Sequence, residues 1–320
     1  MKKPLIDCHT HIGIDPIFYV EGSFPYAQQF RNLVEEAHGH GIERLITFPF
    51  INYLGWEGLN VTWQGRKSGD FAVPYAFENV RMLSEIYELN ADIASAAIPF
   101  VILDPARHQQ AQVDSLRKLR EKFPIRGFKI QPTIIRAPIR ELLGNGRCIL
   151  ELAAEWDLPV LIHSSISSAD IWSQAWDILD VAEAWPGVRF CLAHSCRFDL
   201  PSLERLGTME NTWFDCSAHC IHCDSVIDGL PNVAIPERLV PADYSRPDAV
   251  MKTLAELLPG RMMWGSDAPF YSYAAKHDKN PLCLISSYAR EVAALGLLSD
   301  EQKTALLHDN IVRFLGRSGD

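Results

Sequence analysis

The 320-residue chain is 48% hydrophobic and 22% charged, which excludes global disorder, a collagen-like repeat and a membrane-embedded protein. Its 30 basic and 40 acidic residues leave a formal charge of −10, a balance that opposes nucleic-acid binding, which draws on basic contacts to phosphate. The longest nearly apolar stretch, Ile93 to Leu103, is interrupted by Ser95 and Pro99 and is too short to cross a bilayer.

Met1-Lys2-Lys3-Pro4 leads into Leu5-Ile6-Asp7-Cys8 without the apolar core of a secretory signal, so a cytoplasmic chain is expected. The eight cysteines, most within apolar runs, fit reduced thiols better than a disulfide framework. Eight strands are predicted, over 4–11, 43–50, 93–103, 125–132, 159–163, 188–194, 212–217 and 261–267. Between them, four stripes repeat at helical spacing: Phe30, Leu33, Val34 and Ala37; Ile149, Leu152, Ala153 and Trp156; Val250, Leu254, Leu257 and Leu258; and Leu307, Ile311, Phe314 and Leu315. Val160-Leu161-Ile162 and Phe190-Cys191-Leu192-Ala193 are continuously apolar, as strands buried on both faces should be. Eight such strands alternating with helices predict a (β/α)8 TIM barrel, in one domain over 1–320 because no linker divides the chain. A doubly wound open sheet is disfavoured because no Gly-x-Gly-x-x-Gly follows a strand.

Two connections are long, 51–74 after the second predicted strand and 218–245 after the seventh, and both would leave the face where barrel chemistry sits. The first carries Tyr53, Trp56, Trp63 and Phe71 beside Arg66 and Lys67. It reads equally as a substrate lid and as an aromatic-packed surface loop.

Polar residues at strand ends carry the chemical signal. In Asp7-Cys8-His9-Thr10-His11, alternation sends His9 and His11 towards the barrel axis and Cys8 towards the helices. The fifth strand ends in His163, the sixth in His194 and the eighth in Asp267. One buried histidine is more often a hydrogen-bonded core residue than a ligand. Four histidines and an aspartate converging at one level would compete for partners, and a bound cation resolves that competition.

Asp7-Cys8-His9-Thr10-His11, Gly127-Phe128-Lys129-Ile130, Ile162-His163, Leu192-Ala193-His194, Phe214-Asp215-Cys216-Ser217 and Gly265-Ser266-Asp267-Ala268-Pro269 follow one another over the whole chain. In these motifs the sequence resembles the amidohydrolase superfamily, in particular the amidohydrolase-related branch that includes aminocarboxymuconate semialdehyde decarboxylase. The closing run from Leu307 to Gly316 is similar to that branch's last helix. The resemblance implies one divalent ion, zinc being the expected one, held by His9, His11, His163 and Asp267, with His194 as the nearby catalytic histidine. Asp267 would accept the water proton or orient the nucleophile, and His194 would polarise a carbonyl or shuttle a proton. Lys129 has two readings: an ordinary lysine that pairs with Asp267 or a substrate carboxylate, or a carbamylated lysine bridging two metals, with His163 and His194 serving the second ion. Relatives commonly carry His where this chain has Gln131, which is read as a substrate-binding candidate, and a glycine-rich segment where it has Ser195-Cys196-Arg197.

Arg66, Arg136, Arg197 and Arg246 could clamp a carboxylate through the planar guanidinium, each against the plainer reading of an ordinary salt bridge. His219-Cys220-Ile221-His222-Cys223 lacks a second matching ligand pair, so a polar loop in which His219 meets substrate is preferred over a separate zinc site. Asp7 is read as a support for the ligand histidines and Asp215 as structural. The leading expectation is a metal-dependent hydrolase of a small lactone, amide or ester. Non-oxidative decarboxylation of an unsaturated or aromatic carboxylic acid is the alternative, and a catalytically silent ligand-binding barrel the third reading. The partner expected is a small molecule; a homodimer is compatible with such a barrel.

Overall fold

The computed structural model describes residues 3–14, 27–50, 72–272 and 285–316. Its strands are β1 (Ile6–Ile14), β2 (Ala27–Gln28), β3 (Arg44–Pro49), β4 (Ala97–Ile102), β5 (Gly127–Ile130), β6 (Val160–Ile162), β7 (Phe190–Leu192), β8 (Thr212–Asp215) and β9 (Met262–Met263). β2 is antiparallel to β1, and the other eight run parallel in the order β1-β3-β4-β5-β6-β7-β8-β9. The chain beyond β9 returns to β1: the Cys8 N–H donates to the Trp264 carbonyl at 3.0 Å and the Asp267 N–H to the His9 carbonyl at 2.8 Å. With helices between the strands, this is the (β/α)8 barrel that the alternation predicts.

The strands from β5 to β9 are short, two to four residues each. In β6 and β7 every residue is buried, one set packing inward and the other against the helices. The lumen is filled by Ile6, Cys8, Ile46, Phe48, Phe100, Leu161, Trp213 and Met263, with Phe314 of the terminal helix Asn310–Leu315 closing one end. The helices Phe30–Gly39 and Arg147–Trp156 bury Phe30, Leu33, Val34 and Ala37, and Ile149, Leu152 and Ala153, as their spacing requires.

Several boundaries differ from expectation. Only Ala97–Ile102 of 93–103 is strand, since Ala94–Ala96 forms a 3-10 turn. The last strand is cut to Met262–Met263 because Trp264 and Asp267 bond to β1 irregularly instead of in ladder register. In the helix Pro247–Leu257 the buried stripe is Val250, Met251, Leu254 and Ala255; Leu257 is exposed and Leu258 lies past the end. The connection 218–245 is not a loop at its start. His219–Ile227 is a helix buried on most of its circumference, and burial on several sides removes the one-sided apolar pattern that would have announced it. Of the long connection 51–74, residues 51–71 lie outside the described residues.

Cys8 corrects a further expectation. Strand pairing shifts register between Asp7 and Thr10, a bulge that lets two successive residues face the same side. Cys8 therefore joins the lumen cluster, while His9 and His11 still reach the axis above it. The seven described cysteines are all free. Among the described residues, no helix is long and apolar enough to cross a membrane.

Candidate active site

β1 brings His9 and His11 to the C-terminal mouth of the barrel. Their rings pack edge-on against Phe48 of β3, at centroid distances of 4.9 and 5.1 Å. Asp7, on the opposite side of the strand, secures it: one carboxylate oxygen accepts from the His9 and Ser266 N–H groups, each at 3.0 Å, and the other from the Tyr288 hydroxyl at 2.9 Å. Burial pushes the Asp7 carboxyl up to about 7, against those hydrogen bonds.

Asp215, at the end of β8, fixes the His9 tautomer. Its Oδ2 accepts from His9 Nδ1 at 2.9 Å, and its Oδ1 from the backbone N–H groups of His194 and Ser217 and from the Ser217 hydroxyl. Burial alone would raise this carboxyl. The charges and hydrogen bonds of His9, Ser217 and Lys129 outweigh it and hold the group well below the usual carboxylate range. With Nδ1–H committed to Asp215, His9 Nε2 presents a lone pair.

That lone pair faces Asp267. Asp267 Oδ1 lies 3.3 Å from both His9 Nε2 and His11 Nε2. Burial, the largest influence, keeps both imidazoles less basic than an ordinary histidine and pushes Asp267 up to about 6. A neutral lone pair beside a carboxylate oxygen is stable only with positive charge between or next to them. Lys129 supplies one such charge: its Nζ is 3.2 Å from His9 Nε2 and 4.6 Å from the centre of the Phe48 ring. Burial presses Lys129 down to about 8. Lys129 thus contacts His9 directly, and Asp267 acts on it through space.

His163, His194 and Arg197 form a second row. Arg197 Nη2 donates to His163 Nε2 at 3.1 Å, and Arg197 Nη1 donates to His222 Nε2. A guanidinium only donates, so both imidazoles carry their proton on Nδ1. His163 Nδ1 then donates to His194 Nε2 at 2.9 Å, which leaves the His194 proton on Nδ1, 3.2 Å from the Ser217 carbonyl and 4.0 Å from Asp267 Oδ2. Burial, followed by the nearby Arg197 charge, keeps His163, His194 and His222 well below the ordinary histidine range. Arg197 itself is pressed down to about 10 by burial and is still a cation at neutral pH.

The backbone that positions Arg197 is unusual. His194, Ser195, Cys196, Arg197 and Phe198 all have positive φ, between 47° and 63°. L-residues in that region cost roughly 1–2 kcal/mol each, and such strain persists only where the surroundings enforce it. Here Asp215 accepts from the His194 N–H, Ala234 and Val240 donate to the carbonyls of Arg197 and Phe198, and Arg197 Nε donates to the Ser164 carbonyl.

The structure thus brings His9, His11, Lys129, His194 and Asp267 together and sets His163 one step away, both its ring nitrogens engaged by His194 and Arg197. The expected residues outside this group have other contacts. Gln131 is buried and accepts from the Ile134 N–H, capping the short helix Pro132–Ile135. Arg246 is exposed and pairs with Asp248 at 3.2 Å. Arg66 lies outside the described residues. His219 bonds the Pro247 carbonyl at 2.9 Å, whereas His222, one turn on, packs its ring against His194 at 5.2 Å. Sequence reading missed Ser217, which follows Asp215 by two residues in the turn just past β8. It also missed His222, whose helical setting the sequence conceals.

Eight parallel strands with imidazoles and a carboxylate gathered at one mouth place the candidate site where barrel enzymes carry their chemistry. Residues 72–317 match the family model described as Amidohydrolase, and the chain belongs to that family. Among solved structures it resembles an amidohydrolase from Burkholderia multivorans with bound HEPES, at 16% identity over 98% of this chain and 99% of that one, with a TM-score of 0.63. It also resembles 2,6-dihydroxybenzoate decarboxylase complexed with 2,6-dihydroxybenzoate, at 12% identity over 98% of this chain and 98% of that one, TM-score 0.59. Dihydroorotase from Campylobacter jejuni is similar at 18% identity over 97% of this chain and 82% of that one, TM-score 0.56. At these identities the likeness shows the fold alone. No curated protein matches the sequence.

Proposed function

We propose that the chain is a metal-dependent hydrolase of a small carbonyl compound, a lactone, amide or ester. The observation that carries this reading is Asp267 Oδ1 at 3.3 Å from the Nε2 atoms of both His9 and His11, with the His9 tautomer set by Asp215. Neutral imidazole nitrogens and a carboxylate oxygen are the donor set of a borderline divalent ion such as zinc. Ligand atoms of His9, His194 and Asp267 also lie within 4.8 Å of one another. His9, His11 and Asp267 would hold the ion; His163 joins them only by giving up its hydrogen bond from Arg197. A bound divalent ion supplies Lewis acidity towards a carbonyl and acidifies water.

The chain's own groups account for the proton movements. Asp267 takes the proton of the attacking water and returns it to the leaving group. The His194 Nδ1–H, 3.2 Å from the Ser217 carbonyl and 4.0 Å from Asp267 Oδ2, can turn from Ser217 to donate to an oxygen that gains negative charge. Phe48, Phe50 and Phe270 wall His11 and exclude water from that side.

The second reading is non-oxidative decarboxylation, favoured by the buried Lys129 ammonium beside His9, which could deliver the carbon-bound proton after carbon dioxide leaves. The test is a screen of the metal-loaded chain against lactones, amides and esters, with unsaturated and aromatic acids in parallel. Hydrolytic turnover with one solvent oxygen in the product supports the first reading. Carbon dioxide release without solvent oxygen supports the second, and no turnover in either set overturns both. Metal equivalents per chain, with intact mass under non-acidic conditions, distinguish one ion with free Lys129 from two ions with a carbamate on it.

A further inference from the structure

Arg197 is a cation without a described anion. It uses three of its five N–H bonds, on the Ser164 carbonyl and on two imidazoles. Among the described residues no carboxylate hydrogen-bonds to it; Asp267, Asp170 and Asp215 act on it only through space. Neutral imidazoles are weak partners for a full charge withdrawn from water, and an unpaired buried charge is costly. The left-handed turn adds backbone strain at the same residue. Strain and charge are therefore combined to hold one guanidinium in place.

Its position is also specific. His163 and Arg197 keep partial exposure, while His9, His194 and Asp267 are buried. The guanidinium is joined to the histidine cluster through His163, which in turn bonds His194. One unused N–H remains on each terminal nitrogen, a donor that a carboxylate oxygen can accept from.

The geometry points to Arg197 as the receptor for a carboxylate on the substrate, which makes it the specificity-determining residue and the substrate an anionic carbonyl compound. The inference rests on the metal-hydrolase reading of the cluster; a carboxylated lactone in hydrolysis and a carboxylic acid in decarboxylation would meet the same group. Asp170 bonds Thr133 and Ser173 through its carboxylate and is not available as the missing partner.

The test is calorimetric titration of the purified chain with benzoate, 2-furoate and glutarate against their neutral amides. The wild-type protein should bind at least one carboxylate, and the matched amide roughly tenfold to a hundredfold more weakly. Arg197→Gln should erase that preference while retaining a cooperative thermal transition, and Arg197→Lys should restore part of it. Equal binding of acid and amide, no binding of any panel carboxylate, or a preference that survives Arg197→Gln overturns the inference. The wild-type comparison holds even where a variant fails to fold. Binding needs no turnover, so carboxylate recognition in a chain that hydrolyses nothing would sink only the hydrolase reading. Hydrolysis that ignores the carboxylate would sink only this one.

Discussion

Asp215 Oδ2 lies 2.9 Å from His9 Nδ1, and this contact decides which nitrogen of His9 faces Asp267. Asp215 comes from the seventh parallel strand of the barrel and His9 from the first, so the tautomer is a property of the closed barrel.

Asp215→Asn tests that relationship. An amide at this position must point a donor at the His194 and Ser217 N–H groups or at His9, and either choice loosens the His9 ring. Metal affinity should fall about 10- to 100-fold, as measured by competition with a chelator. Unchanged affinity would assign the contact a structural role alone.

His194→Asn separates catalysis from metal retention. If His194 works through its Nδ1–H, kcat on the substrate found by screening should fall by about two to four orders of magnitude. Metal content, measured by plasma mass spectrometry, should stay unchanged. Loss of the metal would make His194 a ligand.

Gly265→Ala probes the contact between the first and last strands. A Cβ there would lie 2.7 Å from His9 Cβ and 3.0 Å from His9 N, and both are part of a strand that Asp7 holds in place. The variant should unfold with a loss of about 1–3 kcal/mol and bind metal more weakly than its residual stability alone accounts for. Denaturant melts and chelator competition on the same preparation check the two effects.

Glu291 governs part of the pH dependence of stability. Burial pushes this carboxyl from 4.5 up to about 7, against hydrogen bonds from Ser286 and Cys220 and the charge of Arg290. The folded chain therefore holds the proton more tightly than the unfolded chain does. The stabilisation is complete below the unfolded value of 4.5 and is lost as pH rises through about 7. Glu291→Gln can still accept from the Cys220 N–H and donate to the Ser286 hydroxyl, so its stability should not carry this loss. Relative to the variant, the wild type should lose on the order of 2–3 kcal/mol across that window. Urea unfolding at several pH values reads the difference, and parallel curves would rule Glu291 out.

Much of the site was legible because barrel strands are short and end abruptly. His163, His194 and Asp267 each close an apolar run, and His9 and His11 share a strand face, so alternation and run length were enough to place them at one mouth. Cys8 was misplaced because a bulge changes the alternation by one residue, and bulges leave no periodic trace. His222 was passed over for His219 because a helix buried on several sides shows no amphipathic stripe.

The sequence by itself determined the alternation of strands and helices, the barrel and the set of residues at its mouth, since these follow from local hydrophobic patterning and strand ends. The tertiary structure alone decided how those residues are wired. His9 takes its tautomer from β8, two strands away around the closed barrel, Lys129 reaches His9 as well as feeling Asp267, and a left-handed turn swings Arg197 onto His163 and His222. Each of these depends on contacts between residues distant in the chain, whose geometry exists only after the barrel has closed.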